Sequence, residues 1–454
     1  MRRGTVTVLC LVQFVDVLVV TSATTAIPAI LAGVGADASA AGPLATVYAM
    51  FFGGLLILGA RLGDRYGHRR ILLVGIAGFG AVSLLGAAAG LLGPAALAVV
   101  LVSRALQGAA AAISVPSALK LLLDAAPEGP ARRRALAAWS ATGAAAGASG
   151  FLVGGLLVQA AGWPAVFWFN VPLAAALFAG VASRVSRDQT SRDTRPLDIP
   201  GATLLILSVM AVIVGAALLE SPGTRTAGVA GVAAGAGIAA LLAWRLRTAS
   251  HPLIPREAFA SRPLRQGTGL SFANTATTSS SAVLAALYLQ DELRIGPVGS
   301  GLTLMALSVA VVLTSATTGT VFARLAPHLL AALGLGTIAA GQFVLAATVG
   351  SWWGVLVGVA FMGAGLGLAS VAATTIGATV PERLMGSASG ILNTGAQVGT
   401  ALGTAAIILV ASLAGYLVAW LAAGVAAALT AGWCLLPRTR GTATPVSGPG
   451  STGR

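Results

Sequence analysis

One acidic residue of this sequence lies where acids are unusual. The sequence has thirteen acidic residues, and all except Asp16 fall in or beside short polar stretches or near the ends of apolar runs. Asp16 lies well inside the apolar run 5–30, where Gln13 and Val20 share its helical face. An ionisable group in hydrocarbon is costly, and such groups mark proton relays and substrate paths. Asp16 is therefore the first candidate for ion chemistry.

A basic residue also lies inside an apolar run. Arg104 occurs in residues 101–108, and Gln107 and Ala111 share its helical face. A wholly embedded guanidinium needs a partner or a water-filled cavity. Arg104 is therefore the second candidate, and Gln107 and Gly108 are close to it in sequence.

Two later runs carry uncharged polar stripes at helical spacing. Asn274 belongs to a stripe in residues 267–289, and Asn393 and Gln397 belong to one in residues 386–412. Such faces suit a wet, neutral lining for a substrate. Hydrogen bonding between neighbouring helices is the alternative explanation of the same pattern.

The sequence offers little for other chemistries. Its two cysteines, Cys10 and Cys434, lie in apolar runs near opposite ends of the chain, and there are only three histidines. This composition predicts neither a disulfide framework nor a metal site. The sequence contains no Walker-type nucleotide loop and no Ser/His/Asp arrangement. We therefore expect a protein that is not an enzyme and that has no cofactor.

Composition places these groups in a membrane. Hydrophobic residues make up 57% of the 454 residues and charged residues 9%, against about 25% charged in soluble domains. The mean hydropathy is +0.91. Fourteen apolar blocks are long enough to span a bilayer as helices, near residues 5–30, 43–60, 71–92, 96–122, 135–158, 166–183, 200–219, 227–246, 267–289, 299–322, 329–349, 353–375, 386–412 and 415–436.

The net charge of +14 follows the predicted topology. Arginines cluster after every second apolar block, whereas the alternate loops hold only Arg225 and Arg294. Because basic loops stay on the cytoplasmic side, the pattern predicts a multi-pass protein of the cell membrane with both termini in the cytoplasm. A nucleic-acid partner would need a basic face on a soluble fold, and we expect none.

The loop after the second block carries a recognisable motif. Residues 59–70 read GARLGDRYGHRR, which resembles the loop 2–3 signature of the major facilitator superfamily, G-x-L-x-D-R-x-G-R-R. Asp64 can pair with the arginines or cap a helix N-terminus, and Gly67 permits a tight turn. An ordinary basic loop with an incidental aspartate is the alternative. The resemblance implies a conformational gating loop formed by Gly59, Leu62, Asp64, Arg65, Gly67, Arg69 and Arg70.

Glycines recur on one face of the fifth block. Their spacing lets a neighbouring helix approach closely and resembles G-x-x-x-G-P-x-x-G-G, the motif of the antiporter branch of this superfamily. Phe151 stands where that motif has proline, which leaves the consequence for antiport open. Generic close packing is the alternative explanation. The predicted helix-packing glycines are Gly143, Gly147, Gly150, Gly154 and Gly155.

Further stretches resemble the 14-helix drug:proton antiporter branch of the superfamily (EmrB/QacA type). Residues 163–172 read WPAVFWFNVP, similar to the branch pattern W-R-x-x-F-x-x-N-x-P, and residues 383–390 open the thirteenth block as in that branch. The resemblance implies an all-α transmembrane fold of two six-helix bundles with two extra helices between them. Its predicted parts are the N-terminal bundle with its cytoplasmic loop at 1–195, two linker helices at 196–250, the C-terminal bundle at 251–436 and a disordered cytoplasmic tail at 437–454.

The same resemblance places the first and fourth helices together at a cavity between the bundles. Asp16 and Arg104 are then expected to form a switchable pair that couples transport to protons, a static pair joining two helices being the alternative. The substrate-cavity candidates are Gln13, Gln107, Gly108, Asn274, Asn393 and Gln397.

These features predict a monomeric secondary transporter that exports small lipophilic drugs or antibiotics in exchange for protons. A metabolite exporter or a proton-coupled uptake symporter of the same fold is the first alternative. A membrane enzyme or sensor is the second, and it would need a catalytic cluster or a soluble domain. The tenth and thirteenth blocks hold no acids, which favours neutral or zwitterionic substrates over dications.

Overall fold

The computed structural model describes residues 3–126, 130–186, 198–219, 222–254, 256–321, 325–380 and 385–436. Every regular element among these residues is a helix. The predicted disordered tail at 437–454 lies outside the described residues.

The first part of the chain forms a bundle of long helices. Leu9, Leu72, Leu122 and Val181 come from four different helices and are fully buried in one apolar cluster. Burial of such side chains between helices is what joins them into one unit. The helices are α1 (Arg3–Val34), α2 (Ala41–Tyr66), α3 (His68–Ala88), α4 (Ala96–Ala125), α5 (Pro130–Ala161), the short α6 (Ala165–Trp168) and α7 (Asn170–Arg184).

Two helices follow as an antiparallel pair, α8 (Ile199–Leu219) and α9 (Arg225–Thr248). Their backbones touch where Gly215 faces Gly228, because a side chain at either position would meet the other helix. Ile206 of α8 packs on Gly54 of α2, whereas most side chains of α9 face outward. The pair is therefore attached to the rest of the protein mainly through α8.

The buried carboxylate of Asp198 fastens this pair at one end. Its Oδ1 accepts hydrogen bonds from Arg245 Nε and Nη2 at 2.8 and 2.7 Å, and from the backbone N–H of Gly201 at 3.0 Å. Its Oδ2 accepts from the N–H of Leu253 at 2.7 Å. One side chain thus ties the start of α8 to the end of α9 and to the segment that leads into the last part of the chain.

The last part consists of α10 (Arg256–Ala260), α11 (Arg262–Leu287), α12 (Pro297–Val321), α13 (Pro327–Ala347), α14 (Trp352–Gly377) and α15 (Met385–Leu435). Leu335, Ile338 and Ala372 are fully buried in its core. Gly415 has φ 85° and ψ 167°, so α15 is interrupted between residues 385–414 and 416–435. Glycine tolerates this left-handed φ because it has no Cβ.

Twelve helices of the described chain are long and apolar enough to cross a membrane. The predicted number of fourteen is not confirmed by this criterion. The 26-residue α11 is absent from the twelve, because its Asn, Ser and Thr residues lower its hydropathy. The interrupted α15 counts as a single segment, Ala388–Leu435.

One end of the helical assembly carries the arginines of the motif at residues 59–70 and Arg184 at the end of α7. Thr5 donates to the carbonyl of Arg184 at 2.7 Å and Arg69 Nε donates to the carbonyl of Val185 at 2.8 Å. The start of α1, the turn between α2 and α3, and the end of α7 therefore lie together. We call this the basic end, and the end at which α1 finishes at Val34 the opposite end.

Candidate functional site

Three helices bring together a carboxylate, a phenol and a guanidinium. The Tyr48 hydroxyl of α2 donates a hydrogen bond of 2.5 Å to Oδ1 of Asp16 on α1. The guanidinium carbon of Arg104 on α4 lies 4.6 Å from the centre of the Tyr48 ring, in the range of a cation–π interaction. Tyr48 is 2% and Arg104 4% exposed. The phenol therefore links the two ionisable groups inside the bundle.

The predicted switchable pair of Asp16 and Arg104 does not include this phenol between the two groups. The ion pairs of the described residues do not include one between Asp16 and Arg104, because the Tyr48 side chain contacts both. The sequence analysis missed Tyr48. Its position in the second apolar block was visible as one of only four tyrosines, but the sequence does not show which neighbouring helix the ring faces.

A chain of hydrogen bonds holds the Arg104 side chain against α3. Its Nη1 donates to Oε1 of Gln107 at 3.1 Å, and Gln107 Nε2 donates to Oγ of Ser83 at 2.9 Å. A side chain at Gly108 would collide with the backbone carbonyl of Tyr48. The glycine thus allows α2 and α4 to approach closely enough for the ring and the guanidinium to stack. Gln107 and Gly108 act here as supports of Arg104.

A cavity of about 210 Å³ lies between the first and last parts of the chain. We call it the central cavity. Tyr48 and Arg104 belong to its wall on one side, and Gln397 belongs to the other. Asp16 does not line it and instead borders a water-sized, largely apolar void of about 30 Å³ within the first bundle. The remaining lining residues are Val20, Ala23, Thr24, Ile27, Ile30, Leu44, Ala45, Ala49, Thr275, Ser279, Val283, Ala396 and Thr400.

A second cavity of about 300 Å³ lies among α11, α14 and α15. We call it the polar cavity. Thr275 and Ala396 line both cavities, and Thr275 Oγ1 donates to the carbonyl of Ala396 at 2.6 Å. The two spaces are therefore neighbours separated by this contact. The polar cavity is lined by Ser271, Asn274, Thr275, Ser370, Thr374, Ala378, Ala388, Ser389, Leu392, Asn393 and Ala396.

The predicted substrate-cavity candidates thus have different positions. Gln397 lines the central cavity, and Asn274 and Asn393 line the polar cavity. Gln107 and Gly108 line neither of these two spaces. Gln13 is half-buried on α1 beside Gly143 of α5.

The predicted glycine stripe of α5 contacts two helices. Gly143, Gly150 and Gly154 pack on α1, where a side chain at Gly150 would meet Thr21. Gly147 and Gly155 face α12 of the last part. The stripe is therefore also a contact between the two parts of the chain, close to Phe151, whose carbonyl accepts a hydrogen bond of 3.1 Å from Thr25.

The motif of residues 59–70 joins α2 and α3 at the basic end. Gly67 has φ 93° and forms the turn, as its glycine predicts. From the sequence, Asp64 is expected either to pair with the arginines or to cap a helix N-terminus; in the structure its Oδ1 lies 3.0 Å from Nε2 of His68. Arg69 instead donates through Nη2 to the carbonyl of Ala182 at 2.8 Å, close to the end of α7, where a cation stabilises the helix terminus.

The other motif residues have supporting positions. A side chain at Gly59 would collide with the backbone carbonyl of Ala112 on α4. The guanidinium of Arg65 stacks on the Tyr66 ring at 5.5 Å. Leu62 is half-buried and Arg70 is exposed.

The helical architecture, its candidate membrane spans and the cavity between its two parts define a multi-pass membrane transport protein. The family model described as Major Facilitator Superfamily matches residues 9–203 and 267–452. The chain belongs to this superfamily.

Several relatives are resistance, export or efflux proteins. The tetracenomycin C resistance and export protein of Streptomyces glaucescens is 34% identical over 79% of this chain and 67% of its own length. The cephamycin export protein CmcT of Amycolatopsis lactamdurans is 30% identical over 88% of this chain and 83% of its own. The multidrug efflux pump LfrA of Mycolicibacterium smegmatis is 28% identical over 80% of this chain and 71% of its own length.

Solved structures share the fold. The structure of the POT family transporter PepTSo matches with a TM-score of 0.69 at 13% identity. The match covers 95% of this chain and 96% of the PepTSo chain. The structure of the human organic anion transporter MFSD10 matches with a TM-score of 0.61 at 16% identity. The match covers 95% of this chain and 99% of the MFSD10 chain.

Proposed function

We propose that this protein is a secondary active transporter that exports lipophilic drugs or antibiotics across the cytoplasmic membrane in exchange for protons. The relatives with resistance or export roles support this proposal, and the name of the multidrug efflux pump LfrA favours a class of compounds over one substrate. The observation that carries the proton exchange is the contact of Tyr48 with both Asp16 and Arg104 at the wall of the central cavity.

Tyr48 gives Asp16 a controlled connection to the central cavity. The hydroxyl bonds to the carboxylate while the ring belongs to the cavity wall. A rotation of this side chain would expose Asp16 to the cavity and would remove the ring from the Arg104 guanidinium. The protonation of Asp16 and the charge presented by Arg104 to the cavity would thereby change together, which is the link that exchange requires.

Alternating access requires the two parts of the chain to rock against each other. Three side-chain hydrogen bonds join them among the described residues: Ser308 Oγ donates to the carbonyl of Gly147 at 2.8 Å, Gln290 Nε2 to that of Thr25 at 2.9 Å, and Thr394 Oγ1 to that of Gly53 at 2.8 Å. Each such hydrogen bond is worth about 0.5–1.5 kcal/mol. These contacts are therefore weak enough to break and re-form in each cycle.

The proposed topology keeps fourteen membrane crossings. We count α11 because its 26 residues suffice for a bilayer and its polar face borders two cavities. We count residues 385–414 and 416–435 separately because Gly415 interrupts α15. The domains are then 1–195, 196–250 and 251–436, with the tail 437–454 and both termini in the cytoplasm. The basic end faces the cytoplasm, and the protein acts as a monomer in the lipid bilayer.

The test is Asp16→Asn in inverted membrane vesicles from a host that lacks its own drug exporters. Energised vesicles containing the unchanged protein should accumulate a lipophilic drug and release protons when the drug is added, and a protonophore should abolish both. Asp16→Asn should remove the proton release. Asp37→Asn, which changes an exposed acid near the end of α1, is the matched control.

Undiminished proton-linked transport by Asp16→Asn, at equal amounts of folded protein, would exclude Asp16 as the coupling group. Transport that is insensitive to the protonophore in both proteins would exclude proton exchange itself.

A further inference from the structure

The polar cavity has a lining without charge. Seven of its eleven lining residues carry a hydroxyl or an amide, and the other four are alanines and a leucine. The central cavity, in contrast, has Arg104 in its wall. A charged group in the polar cavity would therefore lose hydration without gaining a charged partner from the lining, whereas an uncharged polar group would find hydrogen-bonding partners.

Three of the seven polar residues of this lining bond to nearby backbone. Thr374 Oγ1 donates to the carbonyl of Ser370 at 2.8 Å, and Asn393 Nδ2 donates to that of Ser389 at 3.1 Å. Thr275 uses its hydroxyl on the carbonyl of Ala396. Each of these three residues therefore already uses a donor.

Asn274 is different. Its side chain is 1% exposed, its Nδ2 donates to Ser370 Oγ at 2.9 Å, and its Oδ1 is buried without a hydrogen-bond partner. Buried polar atoms are nearly always paired with protein, water or a ligand. The amide thus presents an unused hydrogen-bonding function in the wall of a cavity of about 300 Å³.

The position of this cavity fits the loading of cargo. Ala378 and Ala388 line it beside the end of α14 and the start of α15, where Gly390 packs on Ile57 in the half of α2 that leads to the basic end. Thr275 and Ala396 separate it from the central cavity. A compound that enters from the basic end meets this uncharged space before it reaches Tyr48 and Arg104.

We propose that the polar cavity is a binding site for an uncharged hydroxyl or amide group of the cargo, held by the side-chain amide of Asn274. The site rests on the proposed export function, to which it adds the chemical class of the recognised group. It is distinct from the proton-coupling residues, since Asp16 and Arg104 line other spaces.

The probe for this site is a diazirine-bearing eight-carbon alcohol, compared with the same chain ending in a methyl group. Full-length protein in lipid nanodiscs is irradiated with each probe without a proton gradient, and the labelled peptides are identified by mass spectrometry. The alcohol should label peptides of α11, α14 and α15 that line the polar cavity, and the methyl analogue should label them far less.

Asn274→Leu should lower this labelling by roughly five- to tenfold, as the loss of one buried hydrogen bond implies. Asn393→Leu is the matched control, because that amide already bonds to its own helix, and it should lower the labelling less than Asn274→Leu does. Ser370→Ala removes the internal partner of Asn274 but keeps the amide. It should retain the labelling, which separates ligand binding from a packing role.

Equal labelling by the alcohol and its methyl analogue would overturn the site, as would an equal loss in Asn274→Leu and Ser370→Ala or no labelling of this cavity. Asp16→Asn should label as the unchanged protein does. Loss of proton exchange with intact labelling would therefore refute the coupling group alone, and loss of labelling with intact exchange would refute this site alone.

Discussion

Tyr48→Phe separates the two contacts of the residue that joins Asp16 to Arg104. The substitution removes the hydroxyl that bonds to Asp16 at 2.5 Å. It keeps the aromatic ring 4.6 Å from the Arg104 guanidinium carbon. Because Tyr48 is 2% exposed and phenylalanine has nearly the same shape, we expect the helices to pack as before.

The expected magnitude follows from the strength of the lost bond. A hydrogen bond to a charged group is worth about 1.5–3 kcal/mol, and each 1.36 kcal/mol is tenfold in an equilibrium. If the bond sets the protonation equilibrium of Asp16 during transport, its loss should change proton-coupled efflux by about one to two orders of magnitude. Binding of cargo without a gradient should change little, because the aromatic ring stays in the wall of the central cavity and the lost hydroxyl is bonded to Asp16.

The assay reconstitutes each variant in liposomes with an imposed pH gradient. Drug movement and internal pH are followed together, so that the number of protons exchanged per drug molecule is measured directly. Tyr66→Phe is the matched control, because Tyr66 is 49% exposed at the end of α2 and its ring stacks with Arg65. That control should transport as the unchanged protein does.

Two results would refute the reasoning about Tyr48. The first is normal proton-coupled efflux by Tyr48→Phe at equal reconstitution. The second is an equal defect in Tyr48→Phe and Tyr66→Phe, because a general effect of losing a hydroxyl would then explain both.

Two further predictions concern packing. Asp198→Ala should lower the free energy of unfolding by about 2–4 kcal/mol, because it leaves Arg245 and two backbone donors without their buried acceptor. The measurement is the thermal midpoint of the detergent-solubilised protein. It should fall well below the midpoint of the control Asp124→Ala, which loses only an exposed ion pair. An equal midpoint for the two would contradict this role. Gly155→Val should abolish efflux without loss of expression, because the new side chain would collide with the backbone of α12. The control Gly237→Val should leave efflux intact, because Gly237 has open space around it. Normal efflux by Gly155→Val would show that the contact of α5 with α12 is dispensable.

The sequence by itself determined the class of the protein. Long apolar blocks and alternating basic loops are local properties, and the cost of burying charge in hydrocarbon acts on each segment separately. For the same reason Asp16 and Arg104 were identifiable as exceptional before any contact was known. The superfamily was recognisable from residues 59–70, and the family match confirmed it.

A hydropathy criterion misses α11, a helix whose polar side chains have partners only in the folded protein. The criterion omits α11, although Asn274 Nδ2 donates to Ser370 Oγ of α14 at 2.9 Å and Thr275 Oγ1 donates to the carbonyl of Ala396 of α15 at 2.6 Å. Such partners and the adjoining cavities offset the cost of polar groups in the membrane. A count from composition cannot include that compensation.

Only the tertiary structure decided which polar groups meet. The rotation and crossing of packed helices place Tyr48 between Asp16 and Arg104, pair Asp64 with His68, and bury Asp198 against Arg245. These contacts join residues on different helices or across a turn, and they depend on shape complementarity along whole helix faces. The sequence of one helix determines which residues share its face, whereas the fold determines what that face touches.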